Sequence, residues 1–184
     1  MIAPHFTAAD VARAHATWSC NCGPSALAAI TGLTLDEVRP HMGDFEQRGY
    51  TNPTLMRSAL RSIGRPWVEI DPRERPWPRW GLCRIQFLGP WTEPGVPMRA
   101  RYRFTHWIGA ASRGAGDVGV WDVNAIGNGT GWCARSDWER VIVPELVAGY
   151  RRANGGWHIT HAIEVERPAP RTVDGPRIHT RPRG

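Results

Sequence analysis

Cys22, His106 and Asp122 are the residues whose types and surroundings could do chemistry together. A thiol attacks as its thiolate, a base must take and return the proton, and a third group must hold the base. Cys22 stands in Asn21-Cys-Gly-Pro-Ser-Ala-Leu27, where a short loop runs into a stretch of small and aliphatic residues. Pro24 suits a first helical turn, Leu27 and Ile30 share one helical face, and Gly32 stops the helix. Free N–H groups and the positive dipole end at such a terminus stabilise a thiolate. A buried, inert thiol is the other reading of a free cysteine. Cys20 is the rival nucleophile, and the Gly-Pro directly after Cys22 favours Cys22.

His106, inside the strand-like Phe104-Thr-His-Trp-Ile-Gly109, is the best base. Asp122 and Asn124 follow in Gly119-Val-Trp-Asp-Val-Asn124. Both stand an even number of residues from His106, so adjacent antiparallel strands put their side chains on its face. Asp122 would hold one imidazole nitrogen and leave the other for Cys22, with Asn124 as the alternative orienter. His158 and His161 lie three apart on the last predicted strand, so they are expected to face opposite sides rather than share a metal.

The elements that must position these groups divide in two. The first third reads as helical: Thr7-Ala-Ala-Asp10 caps a helix to about Ala14, and the Cys22 helix follows. Thr34-Leu-Asp-Glu37 is a capping box for a helix ending near Pro40, and Asn52-Pro53 opens a helix stopped by Gly64. Strands are then predicted at Trp67 to Ile70, Leu82 to Leu88, Arg101 to Ala110, Gly119 to Val123 and Trp157 to Val165. Loops rich in proline occupy Arg73 to Trp80 and Gly89 to Met98, and a glycine-rich turn falls at Ser112 to Gly116. Ser136-Asp-Trp-Glu139 caps a last helix to about Ala148, interrupted by Pro144. Helices followed by antiparallel strands define an α+β fold. Residues 1–166 are expected to form one domain and residues 167–184 a disordered tail rich in Pro and Arg.

The 184 residues are 41% hydrophobic and 22% charged, an ordinary balance for a globular protein. No apolar run approaches the ~20 residues of a transmembrane helix, and no basic region followed by an apolar one opens the chain. The cytoplasm is the default compartment. All 23 basic residues are arginine and the net charge is +6. Much of that charge sits in the tail and in the Arg73–Arg84 stretch, which argues against a nucleic-acid footprint. The four cysteines form no paired C-x-x-C knuckles, so no structural zinc site is expected, while a Cys83–Cys133 disulfide stays open. Of the ten tryptophans, Trp67, Trp77, Trp80 and Trp91 fall in or beside the proline-rich loops. They either line a cleft for an extended ligand or cover the sheet.

The order and setting of these motifs resemble the C39-like papain-fold cysteine peptidases. Asn21-Cys-Gly-Pro-Ser-Ala-Leu27 resembles that family's D-C-G-x-x-x-L nucleophile motif. Phe104-Thr-His-Trp-Ile-Gly109 is similar to its H-[WF]-[VI]-x strand, and Trp121-Asp-Val-Asn-Ala-Ile-Gly127 to its V-x-D-P-x-x-G segment. The likeness covers roughly Trp18 to Val165. It implies a papain-like fold with N-terminal helices packed on a C-terminal antiparallel sheet. It also implies a thiol protease of peptide or protein substrates, needing neither metal nor other cofactor. Cys22 matches the nucleophile, His106 the general base and Asp122 the orienting acid. The family's oxyanion-hole glutamine is missing: Ala16 stands at its place and no glutamine precedes Gln47. His15, Trp18 and Asn21 are the side chains that could substitute. Asn21 replaces the family's Asp, and Val123 replaces its Pro. The rival readings are an inactive papain-like module binding a peptide or protein, an amidase or acyltransferase on cell-wall peptide, and, more remotely, a nucleic-acid binder.

Overall fold

The computed structural model describes residues 2–114 and 116–169. Most of the predicted tail therefore lies outside the described residues. Helices come first: α1 (Ala8–Trp18), α2 (Cys22–Thr31), α3 (Leu35–Val38), α4 (Phe45–Arg48) and α5 (Pro53–Ile63). Their starts follow local capping chemistry. Thr7 and Asp10 form a reciprocal box at α1, Thr34 and Glu37 another at α3, and the Asn52 side chain accepts from Leu55 N at 2.8 Å at α5. α1 runs past the predicted end at Ala14, because Ser19 takes the left-handed conformation and its N–H closes the helix on Ala14 and His15.

Six strands form one antiparallel sheet in the order β1-β6-β2-β3-β4-β5: β1 (Trp67–Ile70), β2 (Gly81–Phe87), β3 (Thr105–Gly114), β4 (Asp117–Trp121), β5 (Trp132–Ala134) and β6 (Trp157–Val165). The chain is thus an α+β protein. β3 starts later than predicted, since a helical turn, α6 (Met98–Arg101), ends on Arg101 and the chain bends through residues 102–104 before the strand. β5 was not foreseen; its three residues carry too short a pattern for periodicity to register.

Both faces of the sheet are covered, so β2 is buried at every position rather than alternately. Leu82, Trp107, Trp121 and Ile163 pack under the helices, in a core with Leu27, Ile30, Phe45 and Leu60. Cys83, Ile85, Phe87, Ile108 and Val120 form a second core on the other face with Trp138, Ile142 and Val143. That second layer is α7 (Arg135–Asp137), a π-helical turn (Trp138–Ile142) and α8 (Val143–Ala148). Ser136 is not its cap: Ala134 stands at that position with no side-chain bond. Pro144 enters at the first turn of α8, where its missing N–H costs little.

α2 is held against β3 by an absence of side chain. A Cβ on Gly109 would meet Ile30 Cδ1 at 2.9 Å and Trp121 Cβ at 3.1 Å. Glycine lets helix and strand approach closely enough for the helix N-terminus to reach the start of β3.

The tryptophans cover the core, and Trp77 and Trp80 also line cavities. Trp80 donates to Ile30 O at 2.9 Å, Trp91 donates to Phe87 O and packs edge-on against Phe104, and Trp77 packs against Trp157. All four cysteines are free. β3 and β4 lie between the strands of Cys83 and Cys133. At ~4.8 Å per strand, the gap far exceeds what a disulfide spans. Among the described residues no helix is long and apolar enough to cross a membrane.

Candidate active site

Cys22 is the first residue of α2, and Asn21 is its N-cap. The Asn21 Oδ1 accepts from Gly23 N at 3.2 Å, and its Nδ2 donates to Gly49 O at 3.1 Å. One side chain therefore closes the helix end and ties it to the loop before α5. Gly23 sits against the same loop, where a Cβ would fall 2.1 Å from Thr51 Oγ1. Trp107 reaches that loop from β3, donating its indole N–H to Thr51 O at 3.0 Å.

This anchoring brings the partly buried sulfur of Cys22 onto the start of β3. The backbone N–H of Trp107 and the His106 ring lie close enough to it to favour its ionised form. The other side of the ring is fixed, since His106 Nε2 lies 2.9 Å from Asp122 Oδ2. A carboxylate only accepts, so Nε2 carries the proton, and Nδ1 is left for the sulfur. Asp122 is fully buried and follows directly after β4. All of its acceptor capacity is engaged. Oδ2 also accepts from Trp138 Nε1 at 2.8 Å, and Oδ1 accepts from the backbone and side-chain nitrogens of Asn124 at 2.9 and 2.8 Å.

The electrostatics follow from that geometry. Burial pushes the Cys22 thiol up, but the His106 charge, its hydrogen bond and the Trp107 N–H outweigh burial, so the thiol is held below its ordinary value. Burial opposes charge on His106 as well, yet the Asp122 carboxylate and the Cys22 sulfur raise it well above the usual histidine range. Burial would raise Asp122; the His106 charge and bond, with Trp138 and Asn124, hold it at about 2. Both shifts favour the charged pair, thiolate and imidazolium, over the neutral one.

The other predicted groups separate. Cys20 is buried and its thiol is pushed up to about 11, which makes it inert beside Cys22. Burial likewise pushes Cys133 to about 11 and Cys83 higher still. Asn124 does not touch the imidazole; it orients the acid that does. Asn21 has both ends of its amide committed and is a cap rather than an oxyanion donor. The Trp18 indole N–H is buried without a hydrogen-bond partner among the described residues, in a ring packed against Phe45 under the Arg39 guanidinium. His15 is exposed on α1 and its Nδ1 is bonded to Cys20 O at 3.1 Å. The remaining donor is the backbone. Gly23 N is capped, Pro24 has no N–H and Ser25 N bonds Asn21 O, so Cys22 N–H is the free donor of this turn among the described residues.

The sequence alone does not reveal one contributor to the site, Trp138, or the face taken by the β6 histidines. Trp138 was visible only as the centre of a helix after Asp122, and nothing local tied its indole to a carboxylate sixteen residues earlier. The histidines of β6 were misplaced. β6 carries one extra residue opposite Arg84 and Ile85, so His161 pairs with Arg84 and His158 with Gln86. That bulge turns both histidines to one face, the face of Arg84 and Gln86. Among the described residues no group of three or more His, Cys, Asp or Glu side chains gathers as a metal site.

The cavities of about 440 and 780 Å³ at the far end of β3 are lined by Arg79, Arg113, Val118 and Arg135, away from Cys22. No family model matches the chain, and no curated protein matches it.

Proposed function

We propose that this protein is a papain-like cysteine hydrolase of peptide or isopeptide amide bonds, acting through Cys22, His106 and Asp122. The observation that carries the reading is selective. Of four free cysteines, only the one at the N-terminus of α2 has a lowered thiol pKa, and its imidazole partner is locked at the other nitrogen by a buried carboxylate.

The chemistry runs as acyl transfer. The Cys22 thiolate attacks the amide carbonyl carbon, and the C=O electron pair moves onto oxygen. The Cys22 backbone N–H donates to that oxyanion, helped by the positive end of α2. His106 gives its Nδ1 proton to the leaving amine as the C–N bond breaks, leaving a thioester on Cys22. His106, now neutral, takes a proton from water as that water attacks the thioester, and the acid departs with the thiolate restored. Asp122 keeps the ring in the tautomer and orientation both proton transfers need, and Trp138 and Asn124 keep Asp122 in place.

The missing side-chain oxyanion donor favours one rival, an inactive module of the same fold. Loss of one such donor costs ~10²–10³ in rate, so slow turnover is expected rather than none. The test is a panel of fluorogenic peptide, isopeptide and muropeptide amides given to the wild type and to Cys22→Ala. Turnover by the wild type alone supports the hydrolase. No turnover of any amide, with Cys22 alkylated no faster than free cysteine, overturns it.

A further inference from the structure

Arg84 is a buried cation near the nucleophile with no carboxylate partner among the described residues. It is only 7% exposed. One hydrogen bond holds its guanidinium, from Nη2 to Thr105 Oγ1 at 3.3 Å, and its Nε–H is sealed from solvent with no acceptor. The Tyr102 ring, itself 41% exposed, lies over the guanidinium at 5.2 Å. A buried unpaired charge is costly, and a planar fork is the side chain best shaped to take a carboxylate through two parallel bonds.

Its position ties it to Cys22. Arg84 pairs with Trp107, whose backbone N–H faces the Cys22 sulfur closely enough to lower its pKa, and its anchor Thr105 directly precedes His106. The sulfur lies within electrostatic reach of Arg84 but makes no hydrogen bond with it. Two residues along the same face, Gln86 also leaves its Oε1 buried and unpaired, beside a cavity of about 270 Å³ that Tyr102, Met98 and His158 share. Two alternate positions on one face of β2 thus hold polar atoms that no described residue satisfies, one of them within electrostatic reach of the reacting thiol.

We infer that Arg84 is a specificity-determining residue that binds a carboxylate of the substrate close to the scissile bond, so that the substrates are anionic acyl compounds. The inference rests on the hydrolase reading for the word substrate, but anion recognition beside Cys22 can be measured without turnover. The carboxylate could be an Asp or Glu side chain or a free chain terminus; both present the same two oxygens.

Iodoacetate and iodoacetamide test the site directly, because both alkylate the thiolate with loss of iodide and differ in one carboxylate. The ratio of their rate constants at Cys22 is divided by the same ratio for free cysteine. This normalised ratio is expected to fall at least about tenfold in Arg84→Gln, the scale of a charge-assisted hydrogen bond. Arg84→Lys, which keeps charge without the fork, should fall between. Thermal melting of each variant identifies any that has failed to fold, and Thr105→Ala, which frees the guanidinium without removing it, then supplies the comparison, with a smaller fall in the same direction. A ratio that stays put overturns the inference: a guanidinium that merely supported the thiolate would slow both reagents together.

The source is separated by binding of random hexapeptide pools to Cys22→Ala, read by isothermal titration. One pool has a fixed Glu and an amidated end, one a free terminus and neutral side chains, and one no carboxylate. Tighter binding of either acidic pool, lost on adding Arg84→Gln, supports the site and names its ligand; equal binding of all three pools overturns it. If no amide is turned over and Cys22 is alkylated no faster than free cysteine, while the alkylation ratio still depends on Arg84, the hydrolase reading falls and the anion site stands.

Discussion

The indole Nε1 of Trp138 donates to Asp122 Oδ2 at 2.8 Å, the same oxygen that receives His106 Nε2. A residue from the layer behind the sheet therefore sets the acid that orients the base. Because Trp138 is fully buried, the carboxylate is fixed by packing as well as by hydrogen bonds. Removing the indole donor with Trp138→Phe should lower kcat about tenfold and leave KM nearly unchanged, since Trp138 touches Asp122 and no substrate.

Asp122→Asn replaces the acceptor of the His106 proton by an amide and disturbs the tautomer. A fall in kcat of about 10²–10⁴ is expected. The same group makes a pH-dependent contribution to stability. Its carboxyl is held at about 2 in the fold against 3.8 ordinarily. Its stabilisation is therefore full above pH 3.8 and lost as pH falls through about 2. The integral is roughly 2 kcal/mol. His106 works in the opposite sense: raised well above 6.5, it stabilises fully below pH 6.5 and loses that contribution as pH rises through its folded value. Denaturant melts of wild type and Asp122→Asn across pH 2–9 should converge at the acid end. Curves that stay parallel down to pH 2 contradict the ion pair.

Thiol labelling should single out one cysteine. With the Cys22 thiol lowered and Cys20 and Cys133 at about 11, iodoacetamide at pH 6 should modify Cys22 first and leave the others largely intact. The rate should hold up as pH drops below the free-thiol range, because the thiolate persists there, and His106→Ala should move the profile back up. Peptide mapping by mass spectrometry reads the site. Preferential labelling of Cys20 would refute the assignment.

Asn21→Ala separates a cap from an oxyanion donor. Loss of the bonds to Gly23 N and Gly49 O should cost about 1 kcal/mol, which is about 2–4 °C in Tm for a chain of this size. The accompanying change in kcat should stay below tenfold, against the ~10²–10³ of a lost oxyanion donor. A larger kinetic effect without loss of Tm would return Asn21 to the oxyanion hole.

Gly109→Ala should push α2 off β3. Its Cβ would meet Ile30 Cδ1 at 2.9 Å, an overpacking of about 1–3 kcal/mol. Ile30→Val alone removes that methyl at ~0.5–1.5 kcal/mol. The double variant should be more stable than the sum of the two, a coupling that a denaturant double-mutant cycle measures. Additive effects would mean the helix and strand are not in contact at this point.

What the sequence by itself determined is the chemistry that acts over three or four residues. The boxes at Thr7–Asp10 and Thr34–Glu37, the cap at Asn52 and the left-handed stops at Gly32 and Gly64 all close within one turn, so their signals are complete in the local string. The setting of Cys22 at a helix start and the extent of β6 are likewise read from adjacent residues. The tertiary structure decided the rest. The three-residue β5, the bulge that turns His158 and His161 together, the separation of Cys83 from Cys133 and the bond from Trp138 to Asp122 depend on register and packing between distant segments. A free amide reads as a possible donor until the fold supplies Gly49 to consume it, and an arginine reads as surface charge until both faces of β2 are covered. Local backbone geometry is encoded nearby in the chain, whereas which polar atoms remain unpaired is fixed only once every neighbour is in place.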